Sequence, residues 1–180
     1  MVQTAEMIEA AAALAKTTNM SFAIAIALAG AALATFMTGI GSSIGLGIAG
    51  RSACGVLSEK PERYGLMTIL VVLPSTQGIY GFVIGLFVLL RLDMFGDGIK
   101  AITIAEGCQF FAACLPVAIA GMFSAIHQGK TCAGGILMAA KRPEMGVKAG
   151  VVYAALVEFY AILGFLISLL AVMIGIKLGA

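Results

Sequence analysis

The chain has 180 residues, of which 61% are hydrophobic and only 11% are charged. Because a soluble domain carries roughly a quarter charged residues, this composition excludes an ordinary soluble protein and predicts an integral membrane protein. The formal net charge of +2 is too small to indicate a nucleic-acid partner.

The first 19 residues are rich in alanine and carry Glu6, Glu9 and Lys16. No basic stretch precedes an apolar one here and the first charges are acidic, which argues against a secretory signal peptide. We expect residues 1–19 to form an amphipathic or loosely ordered extension ahead of the membrane region.

Four uncharged stretches follow, at residues 17–50, 65–90, 107–129 and 149–176, and only Glu158 interrupts the last. Each reaches the roughly 20 apolar residues that a helix needs to cross a bilayer, and a helix satisfies its own backbone in lipid. The sequence therefore predicts an all-α membrane protein. Its four transmembrane helices are expected at about 21–50, 65–91, 105–139 and 147–177.

The basic residues predict the orientation of these helices. Between the first two spans lie Arg51, Lys60 and Arg63, between the last two lie Lys130, Lys141, Arg142 and Lys148, and the opposite side has Lys16, Arg91, Lys100 and Lys177. Cytoplasmic loops carry an excess of Lys and Arg. We therefore expect both basic loops in the cytoplasm and both termini outside.

An internal repeat relates the two halves of the chain. An offset of 82 residues aligns Gly39, Ser42, Ile44, Gly47, Lys60, Pro61 and Glu62 with Gly121, Ser124, Ile126, Gly129, Arg142, Pro143 and Glu144. Beyond these turns the offset changes by one residue, so that Gln77 corresponds to Glu158. The repeat predicts two tandem helical hairpins of the same topology, at 20–100 and 101–180. Leu46 stands where the second hairpin has Gln128, so the polar site is kept only once.

Glu158 is the only charged residue between Lys148 and Lys177. An ionisable group at such a depth is costly, and by default it marks an ion or proton pathway. Gln77, Gln128 and Glu158 each lie 14 or 15 residues from the cytoplasmic turn of their own hairpin. At a rise of about 1.5 Å per residue, all three lie roughly 21–23 Å from those turns, in one layer of the membrane.

The second span adds oxygen atoms to this layer. Pro74 lacks an N–H, so it frees a carbonyl one turn earlier and loosens the helix. Hard cations favour oxygen ligands, and five can be counted: the Leu73 carbonyl, the Thr76 hydroxyl, the amide oxygens of Gln77 and Gln128, and the Glu158 carboxylate. Tyr80 could then donate a hydrogen bond to Glu158. A proton site needs only the carboxyl group, so this set favours a metal cation such as Na⁺.

Other interpretations of the same residues remain open. Taken singly, Thr76, Gln77 and Gln128 are better explained as interhelical hydrogen bonds, worth about 0.6–2 kcal/mol, and only their position in one layer with Glu158 favours the ion site. Proton transport through the same arrangement is an alternative to Na⁺. A small secondary cation transporter is another, although such proteins often have inverted repeats, and a purely structural four-span protein does not account for the polar layer.

Several motifs together resemble the rotor-ring proteolipid of V/A-type ATPases, known as the K or c subunit, and most closely its Na⁺-translocating bacterial kind. They are the segments 73–81 (LPSTQGIYG), 126–130 (IHQGK), 141–144 (KRPE) and 157–164 (VEFYAILG). The resemblance covers about residues 21–173. It implies a non-catalytic protein that assembles with identical copies into a ring, with spans one and three inside and two and four outside, while ATP chemistry takes place on other subunits.

The resemblance also implies partners and a ligand set. The expected partners are a stator subunit that supplies an Arg, central-stalk subunits at the cytoplasmic loops, and membrane lipid. The segment from Pro143 to Glu158 is one residue longer than the family pattern, which would shift Glu158 against Gln128. The positions expected to bind Na⁺ are Leu73, Thr76, Gln77, Gln128 and Glu158, with Tyr80 bonded to the carboxylate.

The remaining motifs have simpler explanations. Cys54, Cys108, Cys114 and Cys132 are expected to be buried apolar residues, because a zinc site needs closely spaced ligands and His127 is the only histidine. His127 is expected to pack or to face the pore. Residues 45–50 match GxGxxG, but no strand precedes them, which argues against a nucleotide site. The crowded glycines at 39, 41, 45, 47 and 50 are expected to let helix backbones approach closely.

Overall fold

The fold is that of a computed structural model, which describes residues 2–96 and 98–178, with side chains from Glu6 onward in the first range. Every regular element in these ranges is helical. The α-helices are α1 (Val2–Leu57), α2 (Tyr64–Val72), α3 (Thr76–Arg91), α4 (Ile104–Lys141), α5 (Pro143–Met145) and α6 (Val152–Leu170). Between or after them lie 3₁₀ segments at Pro61–Arg63 and Leu73–Ser75 and π-helical segments at Gly146–Val151 and Ala171–Gly175.

These elements build four helical spans that are long and apolar enough to cross a membrane. The first span is Glu6–Leu57, the second Pro61–Arg91, the third Ile104–Lys141 and the fourth Pro143–Gly175. The prediction of an all-α protein with four spanning helices is confirmed.

The N-terminal extension differs from the expectation. No break separates residues 2–19 from the rest of the first span, because α1 runs continuously from Val2 to Leu57. Neither glycine nor proline occurs before Gly30, and alanine, glutamate, lysine and methionine are good helix formers. At about 1.5 Å per residue, its 56 residues extend roughly 84 Å, far beyond the hydrocarbon thickness of about 30 Å. Residues 6–19 are exposed along this projecting part.

Close backbone contact joins the first and third spans. A Cβ added at Gly30 would lie 2.6 Å from Cα of Phe111, and one added at Gly41 would lie 2.6 Å from Cα of Met122. Gly45 and Gly129 face each other in the same way. By contrast, Gly39, Gly47 and Gly50 face open space within the chain, so only some of the crowded glycines serve contacts inside one subunit.

Basic side chains tie the two hairpins together at both ends. Near the predicted cytoplasmic side, Lys60 Nζ donates to the carbonyl of Ala140 at 2.7 Å, and Arg63 donates to the carbonyl of Ala139. These cations lie at the C-terminal end of α4, where the helix dipole favours positive charge. At the other end, Arg91 donates to the carbonyls of Met173 (2.6 Å) and Ile176.

The prediction for the cysteines is right for two residues and wrong for two. Cys114 and Cys132 are buried, whereas Cys54 and Cys108 are exposed. The exposed pair falls on faces of α1 and α4 that no other described helix of the chain covers.

Candidate ion-binding site

The carboxylate of Glu158 is contacted from both neighbouring spans. Tyr80 on α3 donates from its hydroxyl to Oε1 of Glu158 at 2.6 Å, a short distance that is typical of a hydrogen bond to an ionised group. The Tyr80 ring packs against Phe165, with centroids 5.2 Å apart. The phenol is thus held by packing and points its hydroxyl at the carboxylate.

The second carboxylate oxygen begins a chain of amide contacts. Gln128 Nε2 lies 3.3 Å from Oε2 of Glu158 and also donates to the carbonyl of Ala154 at 3.0 Å. Oε1 of Gln128 accepts a hydrogen bond from Gln77 Nε2 at 2.8 Å. Gln77 and Gln128 are both fully buried. Side chains from the second, third and fourth spans therefore meet at one level of the bundle.

The backbone around Pro74 brings further oxygens to the same level. The helix narrows to a 3₁₀ turn at Leu73–Ser75 before α3 begins. There Thr76 Oγ1 donates to the carbonyl of Leu73 at 3.1 Å and lies 3.3 Å from Oε1 of Gln77. Three oxygens of the second span are consequently clustered beside the glutamine pair.

Two serines support this layer, and the sequence offered no role for them. Gly78 N donates to Ser42 Oγ at 2.9 Å, one residue after Gln77. Ser124 Oγ donates to the carbonyl of Val157 at 2.9 Å, one residue before Glu158. The serines correspond through the internal repeat, so in each hairpin the first helix is tied to the second helix next to the site. This alignment was the signal that could have found them.

Glu158 keeps the position opposite Gln128 that the additional residue was expected to shift. The fourth span opens with the π-helical segment Gly146–Val151, and a π turn takes up one extra residue within a helix. The additional residue that the resemblance gives between Pro143 and Glu158 would be accommodated there. Glu158 therefore still faces Gln128, and the shift between them does not occur.

The donor set defines the chemistry that the site can support. It contains one carboxylate, two amides, one hydroxyl and one peptide carbonyl, all oxygen donors. In the described ranges, no group of three His, Cys, Asp or Glu side chains is positioned to hold a metal ion. His127 is exposed and makes no side-chain contact with this set. The arrangement suits a hard monovalent cation or a proton.

Comparison with known proteins identifies the class of the chain. The family of the ATP synthase C-subunit matches twice, over residues 29–88 and residues 111–171. The chain belongs to this ATP synthase C-subunit family. Each match covers most of one hairpin, which confirms that two hairpins are repeated in tandem.

Two similar proteins indicate the kind of subunit more closely. The chain is 44% identical over 142 residues to the V-type sodium ATPase subunit K of Enterococcus hirae, covering 79% of this chain and 86% of that protein. It is 37% identical over 141 residues to the A-type ATP synthase subunit K of Methanocaldococcus jannaschii, covering 78% of this chain and 59% of that longer protein.

The resemblance to the proteolipid ring subunits of V/A-type ATPases is therefore confirmed. The chain is an integral membrane, non-catalytic subunit of a rotary ATPase. Its four-helix fold fits the ring assembly of the family.

Proposed function

We propose that this rotor-ring protein carries one Na⁺ on Glu158 across the membrane, and that rotation of the ring couples this transport to ATP hydrolysis or synthesis. The observation that carries the proposal is the chain of contacts that links Leu73, Thr76, Gln77, Gln128 and Glu158 at one level. Each of these residues contributes an oxygen to this layer. The relative from Enterococcus hirae, a sodium ATPase subunit, supports the same ion.

Binding would exchange hydrogen bonds for ion contacts. Oε1 of Gln128 accepts from Gln77, so it would give up that bond to face a cation. Tyr80 can keep its bond to Glu158 throughout, because it occupies Oε1 and leaves Oε2 toward the amides. The site thus has a rigid side at the phenol and an adjustable side at the two glutamines.

Charge neutralisation explains how the ion moves with the ring. A bare carboxylate facing lipid is costly, whereas a carboxylate compensated by Na⁺ avoids most of that penalty. The neutral subunit is then able to pass the lipid, and an Arg of a stator subunit would displace the ion at the exit. That Arg belongs to another protein, so the stator partner is essential to transport.

Protons are the second candidate cargo. The specific observation in their favour is that one carboxylate with a phenol bond is sufficient for a proton, and both are present. Against it, the Thr76 hydroxyl would then have no role beyond its local bonds.

The orientation and remaining partners follow from the basic turns. We propose that both termini lie outside and that the turns around Lys60 and Arg142 face the cytoplasm, where central-stalk subunits would contact them. The positive-inside distribution supports this placement.

Binding of radioactive ²²Na⁺ to the purified ring in detergent tests the proposal. We expect one Na⁺ per chain, competition by protons, and loss of binding in Glu158→Gln. Glu144→Gln, which changes an exposed carboxylate in the cytoplasmic turn, should bind normally. Equal Na⁺ binding by wild type and Glu158→Gln would contradict the assignment.

A further inference from the structure

The helix α3 begins without a cap from its own N-terminal residue. Ser75, which precedes it, makes no capping hydrogen bond and has a right-handed helical backbone conformation, whereas a residue that caps a helix is typically extended. The Ser75 hydroxyl instead donates backward to the carbonyl of Val72 at 2.7 Å. Because the first N–H groups of a helix have no partner within that helix, those of α3 need an acceptor from another part of the molecule.

Ser42 of the first span supplies such an acceptor. Gly78 is the third residue of α3, and its N–H donates to Oγ of Ser42 at 2.9 Å. A side-chain oxygen on the third N–H of a helix is a contact that an N-cap residue makes. Ser42 is only 6% exposed, and a Cβ added at Gly78 would lie 3.2 Å from its Oγ. The glycine therefore lets the hydroxyl reach the backbone.

We propose that Ser42 is a positioning residue of the ion site, which caps α3 from a neighbouring helix and so holds the turn that presents Leu73 and Thr76. In a continuous α-helix, the Gly78 N–H would bond to the carbonyl four residues earlier, which belongs to Pro74. Ser42 takes up this N–H, so α3 begins at Thr76 and the preceding 3₁₀ turn is preserved. The carbonyl of Leu73 then stays 3.1 Å from the hydroxyl of Thr76. This inference rests on the proposed Na⁺ site and adds a residue outside the ligand set.

The second hairpin explains why only one of the two related serines has this role. The fourth span has Ala155 at the position of Pro74, and α6 continues through it without a break. Its N–H groups at this level are therefore bonded within the helix, and Ser124 donates to the carbonyl of Val157 at 2.9 Å instead of accepting from an N–H. The hydroxyl accepts where the second helix of the hairpin is interrupted and donates where that helix is continuous. The capping contact of Ser42 thus follows from Pro74.

The cap acts on the turn and not on the carboxylate. Leu73 and Thr76 belong to the turn or follow it directly, whereas the two oxygens of Glu158 are contacted by Tyr80 and Gln128. Loss of the cap should therefore weaken Na⁺ binding, which uses the oxygens of the turn, and leave proton binding by the carboxylate unchanged. A residue that merely stabilises the fold would not separate these two effects.

Ser42→Ala removes the acceptor and tests the role directly. In the purified ring, the ²²Na⁺ concentration for half-saturation should rise about fivefold, which corresponds to the usual cost of a lost N-cap. Carbodiimide labelling of Glu158 without Na⁺ should keep the pH dependence of the wild type. Ser42→Thr keeps the acceptor oxygen and should bind Na⁺ as the wild type does. Wild-type Na⁺ affinity in Ser42→Ala would overturn the proposal.

Ser124→Ala is the matched control, because it removes the corresponding hydroxyl at a position that is 5% exposed. Each variant loses one hydrogen bond between helices, so both should lower the unfolding temperature by a similar amount. Only Ser42→Ala should raise the Na⁺ concentration for half-saturation. Equal changes in Na⁺ binding for the two variants, or a shifted pH dependence of labelling in Ser42→Ala, would reduce Ser42 to a packing residue and overturn the assignment.

Double variants identify the turn as the element through which Ser42 acts. Ser42→Ala and Thr76→Val weaken the same group of ligands, so their combined loss of Na⁺ affinity should be smaller than the product of the two single losses. Tyr80→Phe removes a contact to the carboxylate instead, so its effect and that of Ser42→Ala should multiply. Multiplication in both pairs would contradict the action of Ser42 through the turn.

Two reference proteins separate a failure of this inference from a failure of the proposed function. Na⁺ binding that is lost in Glu158→Gln, together with unchanged affinity in Ser42→Ala, would overturn the role of Ser42 and leave the Na⁺ site in place. No Na⁺ binding by the wild-type ring, or equal binding by Glu158→Gln, would overturn both.

Discussion

The hydroxyl of Tyr80 lies 2.6 Å from Oε1 of Glu158, although the two residues belong to different hairpins. Gln128 approaches the other carboxylate oxygen from the third span at 3.3 Å. The carboxylate is therefore fixed between two donors, so the first hairpin contributes to a site whose only charge lies in the second. All of the proposed ligands consequently lie within one chain.

Removal of the phenol should weaken ion binding without disturbing the fold. Tyr80→Phe keeps the ring that packs on Phe165 and loses a bond to a charged group, worth about 1.5–3 kcal/mol. The Na⁺ concentration for half-saturation, measured with ²²Na⁺, should rise roughly tenfold or more. Tyr160→Phe, at a phenol that is 70% exposed, is the matched control and should bind as wild type.

The hydroxyl of Thr76 distinguishes a metal site from a proton site. Thr76→Val keeps the shape and removes one oxygen, so Na⁺ affinity should fall about tenfold while acid-dependent labelling of Glu158 by a carbodiimide persists. Ser75→Ala removes a neighbouring hydroxyl whose bond, among the described residues, is to the carbonyl of Val72, and it should change neither. Unchanged Na⁺ affinity in Thr76→Val would show that this hydroxyl is not a ligand of the ion.

The glutamine bridge should be essential for both affinity and packing. Gln128→Leu introduces the residue that the first hairpin has at Leu46, and it leaves the buried Nε2 of Gln77 without its acceptor. An unsatisfied buried donor costs about 1–3 kcal/mol. We expect Na⁺ binding to be lost and the thermal stability of the protein to fall. Ser124→Ala, which removes one interhelical bond beside the site, should lower stability while Na⁺ binding is largely kept.

The π-helical segment predicts an asymmetry between deletion and insertion. Deletion of Val147, an exposed residue, should convert the π turn to an α turn and leave Glu158 opposite Gln128. Insertion of one alanine at the same place should rotate the rest of the fourth span, including Glu158, by about 100° about its helix axis. Glu158 would then no longer face Gln128, so Na⁺ binding should disappear. The reverse pattern, with insertion tolerated and deletion harmful, would show that the segment does not absorb the extra residue.

The sequence was sufficient to predict the spans, the repeat and the grouping of the polar residues, because hydropathy and the spacing from the turns are properties of whole helices. It was insufficient to predict the structure of the N-terminal segment, since an alanine-rich sequence with few charges does not reveal whether the first helix ends at the membrane or continues beyond it. The roles of Ser42 and Ser124 depend on side-chain directions at a helix contact, which spacing alone does not provide.

Local backbone geometry accounts for the other differences. The extra residue before Glu158 suggested a shifted register, and only the folded backbone reveals that Glu158 still faces Gln128 and that a π turn lies before it. Cys54 and Cys108 were expected to be buried because their neighbours are apolar or small. In a membrane protein that forms a ring, however, apolar surroundings also describe faces that meet lipid or another copy of the chain.

Carbodiimide labelling of Glu158 in the purified wild-type protein, with and without NaCl at fixed pH, tests the central claim most directly. Only the protonated carboxyl reacts, so a bound Na⁺ should protect it. We predict protection by Na⁺ but not by K⁺, with more Na⁺ required as the pH falls. Labelling that follows pH alone and ignores Na⁺ would contradict the sodium site and leave a proton-carrying rotor.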